Sequence, residues 1–231
     1  MQIISNERRI ARGARTGKIA TLVGLGFLVA GLIASLLLQQ MTMIWVSLGC
    51  LLVGLLVSSI GTMNMNRWVR EPRADQALEQ GLKGFDDKYR LYNYWLPAPH
   101  VLVGPLGLWV LTAMGQDGAI RYEDGKFHRN FSLGRLLRFM AEEGMGKPLS
   151  EAEAQVAALE SFLEEHDAWD GVDIQNAVVF YNPNAEITVS DPPQPIVPPK
   201  MLKKVIRKQQ DARLTKEQYE TLVALFDGTI G

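Results

Sequence analysis

The residues of this 231-residue chain that could do chemistry are few and dispersed. His100 stands directly before an apolar, β-branched run, as a candidate metal ligand or base; with no carboxylate beside it in sequence it reads equally as a structural hydrogen-bonder. Asp75, Asp117, Glu123 and Asp124 are the acids nearest that region. A divalent-cation site there would draw on Asp75 and Asp117. Yet Asp117, in Gln-Asp-Gly, is also an ordinary turn residue, and Asp75 also suits the first turn of a helix through the macrodipole. His128 and His166 have no spacing that suggests a metal site. Cys50 is the sole cysteine, so the chain forms no intramolecular disulfide and no cysteine-based zinc site, and within an apolar run it reads as a packing residue. The sequence has no P-loop, Gly-x-Gly-x-x-Gly turn or Ser-His-Asp elbow. Five cations, Lys200, Lys203, Lys204, Arg207 and Lys208, cover one broad face of a helix at ~100° per residue, opposite Met201, Leu202, Val205 and Ile206. That face is either a solvated surface or a contact for anionic lipid or nucleic-acid phosphate.

The stretch that must position His100 is Pro99 to Gly118. Val101 to Val103 reads as a strand, Gly104-Pro105-Leu106-Gly107 as a tight turn, and Leu108 to Thr112 as a second strand, because apolar and β-branched residues flank a Gly/Pro turn signal. Residues two apart on a strand share a face, so Thr112 and Met114 point the same way.

His100, Gly104, Pro105, Gly107 and the apolar positions between them resemble the centre of the nuclease-related (NERD) domain, a branch of the restriction-endonuclease-like PD-(D/E)XK fold. The family pattern is Asp-His, a strand ending in Gly-Pro-x-Gly, then a strand ending in Glu-x-Lys. The resemblance implies an α/β fold of that type over roughly 74–231. In that fold, carboxylates hold a divalent metal that neutralises phosphoryl charge and activates water, beside a lysine. Here Pro99 stands at the position of the metal-binding Asp, and Thr112, Ala113 and Met114 stand at Glu-x-Lys. Asp75, Leu78 and Leu82 match the spacing of a family helix whose glutamate completes the metal site. Pro148 matches part of an Asn-Pro-x-x-Gln helix start, with Glu151 at the Gln position and Gln155 one turn later. Among the degenerate family positions Asp75, Pro99, His100, Thr112 and Met114, the charged members of the Glu-x-Lys pair are missing. The expectation is therefore a divergent nuclease-fold module without metal-dependent hydrolysis. The alternative is a membrane-tethered nuclease with a displaced site and a divalent metal such as Mg.

The other elements follow from local pattern. Ala74 to Lys83 predicts a helix with Leu78 and Leu82 on one face, and Tyr89 to Trp95 a strand. Ala119 to Tyr122 and Lys126 to Phe131 predict a hairpin around Glu123-Asp124-Gly125, and Leu133 to Glu143 a helix. Ser150 with Glu153 three positions on reads as a capping box opening a helix with Val156, Leu159 and Leu163 as its core stripe. Ala177 to Tyr181 and Glu186 to Val189 read as strands, while Ile196 and Val197, between prolines, allow at most a short edge pairing. Lys200 to Gln210 and Lys216 to Phe226 predict two closing helices, the second capped by Thr215 with Gln218.

Before all this come two uncharged runs. Ile19 to Leu38 has 20 residues and Met43 to Gly61 has 19, each matching a ~30 Å hydrocarbon core at 1.5 Å per residue. Only Gln39 to Thr42 joins them, which predicts an antiparallel transmembrane hairpin rather than a signal peptide. Small residues every four positions, Gly26, Ala30 and Ala34 on the first run and Cys50, Gly54 and Ser58 on the second, predict the faces that close it, with homodimerisation as their alternative role. Arg8, Arg9, Arg12, Arg15 and Lys18 precede the hairpin and Arg67, Arg70 and Arg73 follow it. By the positive-inside rule both termini are cytoplasmic at the inner membrane, with Trp45 and Trp68 as interfacial anchors.

The expected organisation is a basic tail over 1–18, a hairpin over 19–63, a linker over 64–73 and a cytoplasmic NERD-like domain over 74–231. No ionisable residue lies within either run, which argues against a transporter. A net charge of −1 argues against a globally basic nucleic-acid binder. The expected partners are the lipid bilayer, nucleic acid or anionic lipid at the basic helix, and an unidentified protein.

Overall fold

The computed structural model describes residues 1–37, 41–129, 145–169, 171–209 and 212–230. The predicted helix over 133–143 and the residues 39–40 of the predicted loop lie outside them. The chain divides into two units, one of two long helices and one α/β unit.

The helical unit consists of α1 (Glu7–Leu37) and α2 (Met41–Trp68). Both are long and apolar enough to cross a membrane. Their packing inverts that of a soluble hairpin. Leu22, Leu36, Trp45 and Leu56 are each more than 60% exposed, whereas the buried positions are small. Gly17, Gly24 and Gly31 on α1, and Ser47, Gly54 and Gly61 on α2, recur every seven residues. A Cβ on Gly24 would lie 2.8 Å from Ser58 Cα, and one on Gly54 2.9 Å from the Leu28 nitrogen, so glycine is what lets the backbones approach. Ser47 Oγ donates to the Gly31 carbonyl across the interface at 2.7 Å. The predicted α1 stripe is thereby corrected: Gly26 and Ala30 are exposed, and a Cβ on Gly26 would meet nothing within 4 Å. A seven-residue recurrence keeps one seam facing the partner over about four turns, which the four-residue stripe does not. Trp68 is also not an outward anchor: it is buried over Gly13, with the Arg67 guanidinium 5.1 Å from its ring centroid.

The α/β unit has a six-stranded sheet in the order β1-β2-β3-β4-β7-β9 and a three-stranded sheet in the order β6-β5-β8. The first strand, β1 (Gln2–Ser5), precedes the long helices, yet it pairs in parallel with β2 (Arg90–Asn93). The reading of 1–18 as a tail is corrected accordingly: Gln2–Ser5 form a strand whose Ile4 packs against the core, and helix α1 takes up the cations from Arg8 onward. α3 (Ala74–Gly81) comes between the long helices and β2. β3 (His100–Gly104) and β4 (Gly107–Met114) form the predicted hairpin, with Gly104 opposite Gly107. β5 (Gly118–Glu123) and β6 (Lys126–Arg129) turn through Asp124 and Gly125. Both turn residues have positive φ, at 50° and 76°, as a two-residue type I′ loop requires.

The crossover helix α4 (Pro148–Glu165) begins two residues before the predicted Ser150 cap, with Pro148 in its first turn and no side-chain cap. Proline lacks the N–H a cap would satisfy and its φ is preset for a helix. β7 (Ile174–Phe180) then runs parallel to β4, β8 (Ala185–Val189) parallel to β5, and β9 (Ile196–Val197) parallel to β7. α5 (Pro199–Lys208) and α6 (Lys216–Gly228) close the unit, and α6 carries the expected Thr215–Gln218 capping box. Alternate residues of β4 face opposite layers. Leu108 and Val110 pack with Leu159 and Leu163 of α4 and with Leu222 and Phe226 of α6. Trp109 and Leu111 pack with Leu78 and Leu82 of α3 and its continuation, and with Leu202 and Ile206 of α5. The result is a three-layer α/β/α arrangement.

Candidate functional site

The Gly104–Gly107 turn of the hairpin proves to be a packing device. Gly104 lies directly under the Tyr89 ring, where any Cβ would fall inside it, and a Cβ on Gly107, at φ 120°, would meet the Ala212 carbonyl at 2.7 Å. Tyr89 in turn stacks on Phe85, with centroids 4.2 Å apart. Burial first, and the Asp86 carboxylate second, raise its phenol above the ordinary range.

At the other end of the sheet His100 is buried, and its Nδ1 donates to Asn93 Oδ1 at 2.8 Å. Asn93 Nδ2 donates to Ser5 Oγ at 3.0 Å. Ser5, Asn93 and His100 are register partners on three adjacent strands, so the histidine ends a polar ladder that ties β1 into the sheet. Tyr94, at a φ of 65°, sets its ring edge against His100 with centroids 4.8 Å apart. This left-handed conformation costs a non-glycine residue roughly 1–2 kcal/mol. It is held by the Tyr94 N–H donating to the Pro99 carbonyl at 2.7 Å. Pro99 thus closes the loop with its backbone and offers no side-chain ligand.

Thr112 and Met114 lie on the opposite face of the sheet from His100. Thr112 is fully buried and its Oγ1 donates to Gln155 Oε1 at 3.1 Å, while Gln155 Nε2 donates to Glu151 Oε1 at 3.2 Å. Met114 packs with Ala152, Val178 and Phe180. Gln155 is the residue that sequence spacing set one turn late for the helix-start motif, and tertiary structure brings it to Thr112. The sheet therefore divides the candidate set: His100 shares a face with Leu102 and α3, and Thr112 and Met114 share a face with α4. Asp75 is buried in the first turn of α3. Asp117 is ion-paired to Arg129, and Glu123 and Asp124 are exposed at a hairpin turn. His128 is exposed, and exposed His166 pairs with its own helix at the Phe162 carbonyl, 2.8 Å away. Among the described residues no three His, Cys, Asp or Glu side chains are grouped to hold a metal ion.

The chain matches no protein-family model, no curated protein and no solved structure. Its site is therefore read from geometry alone.

The basic face of α5 is split. Lys203 Nζ donates to the Lys83 carbonyl at 3.1 Å, and both Lys203 and Arg207 lie 5.6 Å from the Phe85 ring centroid. Lys200, Lys204 and Lys208 are exposed. Leu202 and Ile206 are buried as predicted, but Met201 is 39% exposed, because a ten-residue helix lying on one sheet edge buries a narrower arc than its apolar residues span.

One cluster that the sequence did not signal joins β2 to α6. Tyr92 Oη donates to Asp227 Oδ1 at 2.9 Å, and Arg90 is ion-paired to the same carboxylate. Burial, reinforced by Asp227 and opposed by Arg90, holds the Tyr92 phenol far above its ordinary 10.0. For Arg90, burial acts to lower the guanidinium, but its bonds to Asp227 and Tyr92 outweigh this and hold it above its usual range. An unfolded tyrosine ionises near pH 10 while folded Tyr92 keeps its proton, so above that pH the unfolded chain binds fewer protons. The stabilisation is complete below pH 10 and declines as pH rises from there toward the folded value. Thermal unfolding in detergent should therefore show a melting temperature that drops above pH 10. Tyr92→Phe should flatten that drop while lowering stability at pH 7 by about 1 kcal/mol for the lost hydrogen bond. An unchanged alkaline slope in Tyr92→Phe would refute the assignment.

Proposed function

We propose that this protein is a membrane-anchored α/β module of nuclease-related, restriction-endonuclease-like type that has lost metal-dependent hydrolysis and works as a binding or assembly unit. The observation that carries the reading is the fate of the Glu-x-Lys positions. Thr112 is committed to Gln155 and Met114 to the core, while the Gly104-Pro105-Leu106-Gly107 turn keeps the role of its glycines. The order of helix, hairpin and crossover helix agrees with what the resemblance implies. Small residues inside and large apolar residues outside the α1–α2 pair support membrane insertion, since helices gain packing in lipid by close backbone approach.

The pairing of β1 with β2 supports the hairpin topology independently of charge. A bilayer cannot separate hydrogen-bonded strands of one sheet, so a chain that forms β1 before the helices and β2 after them returns to the side it left. With the cations flanking both helices, that side is the cytoplasmic face of the inner membrane.

Full-length protein in detergent, incubated with single- and double-stranded nucleic acid and Mg²⁺ or Mn²⁺, is expected to give no cleavage. Cleavage that is abolished by chelator and by Asp75→Ala would establish the displaced-site nuclease instead. A reporter fused after Gly231 is expected in the cytoplasm, and an external reporter would overturn the topology.

A further inference from the structure

The net charge of −1 conceals two segregated surfaces. α5 carries five cations and no acid, whereas α4 carries five glutamates and no Lys or Arg. The two helices lie on opposite faces of one sheet, α4 over Val110 and α5 over Leu111. Lys200, Lys204 and Lys208 recur every four residues along the exposed side of α5, about 12 Å from end to end at 1.5 Å per residue. Glu153, Glu160 and Glu164 align along α4 over about 16 Å. None of these six is ion-paired among the described residues, and the exposed ground between the glutamates is Ala154, Ala157 and Ser161. Exposed Met201 sits beside Lys200, so each helix offers a small apolar contact framed by charge.

We propose that a second copy of this chain occupies the basic face: α5 of one copy docks on α4 of the next. The contact is heterologous, plus face to minus face, and it repeats, because every copy retains one free face of each sign. Such a contact builds open rows rather than closed dimers. Anchoring favours it, since copies held in one bilayer share the same up and down. Concentrating the chain in two dimensions also raises its effective concentration. The inference deepens the assembly reading above and rests on it.

The test is a charge swap on the full chain, fluorescently labelled and reconstituted in phosphatidylcholine vesicles after nuclease treatment, which removes anionic lipid and nucleic acid as competitors. Wild-type copies are expected to give energy transfer above the random-density level, and to lose it as salt rises from about 50 to about 500 mM because the Debye length shrinks. K200E/K204E/K208E alone and E153K/E160K/E164K alone are each expected to weaken self-association by about tenfold or more. An equal mixture of the two, now all-minus with all-plus, should recover it, as should the six-fold variant that exchanges the signs. Near-UV circular dichroism verifies folding; five of the substituted positions are exposed and Glu160 is half-buried. Random-level transfer in the wild type overturns the proposal. So does a mixture that fails to recover, or an α5 variant whose only defect is binding to phosphatidylserine vesicles or to nucleic acid. These outcomes are separate from cleavage and from reporter topology, which test the reading beneath.

Discussion

Installing a Glu-x-Lys pair as Thr112→Glu with Met114→Lys is expected to cripple folding rather than create a nuclease. Thr112 is wholly buried and Met114 nearly so, so the double variant puts a carboxylate and an ammonium into a packed layer. It also breaks the bond to Gln155. Burying unsatisfied charge costs several kcal/mol per group even after relaxation, which is comparable with the whole stability of a typical domain. Thr112→Ser keeps the hydroxyl and loses one methyl, so it should unfold within about 1 kcal/mol of wild type. Melting in detergent with and without Mg²⁺ or Mn²⁺ distinguishes the outcomes. A double variant that stays folded and whose melting temperature climbs with metal would mean that the pocket is a dormant metal site, because a ligand that binds only the folded state stabilises it.

The second large effect is at Gly104. A methyl there cannot coexist with the Tyr89 ring, and the ring has little freedom, since it is buried and packs against Phe85. Gly104→Ala should therefore cost about 2–3 kcal/mol, the upper part of the range for overpacking. That corresponds to a melting temperature lower by roughly 5–10 °C for a unit of this size. The double variant with Tyr89→Ala should cost less than the sum of its two single variants, since removing the ring removes the clash. Additive losses would show that the glycine serves another purpose. If the coupling holds, the Gly-Pro-x-Gly turn that carries the resemblance is kept for packing, and its presence says nothing about hydrolysis.

Much of this protein was legible from local pattern. The uncharged runs, the Gly104–Gly107 and Asp124–Gly125 turns, the Thr215 cap and the amphipathic α5 each depend on residues within a few positions of one another. Alternation of two or recurrence of 3.6 then carries the information directly. Even the separation of Thr112 and Met114 from Trp109 and Leu111 follows from the pleat.

Tertiary structure decided the rest. Nothing near Gln2–Ser5 announces that their partner strand lies some 88 residues away, beyond two long helices, because strand pairing is set by which edge is open when the sheet assembles. Both Gly26 and Gly24 are small, but only the seven-residue series through Gly24 finds backbone opposite it, since a helix seam is chosen jointly by two surfaces. Gln155 meets Thr112 because a crossover helix brings its second turn over the end of β4. The sequence alone determined which residues are locally apolar, small or charged. Which of them meet was left to contacts between distant segments, whose free energy exists only once the layers have packed.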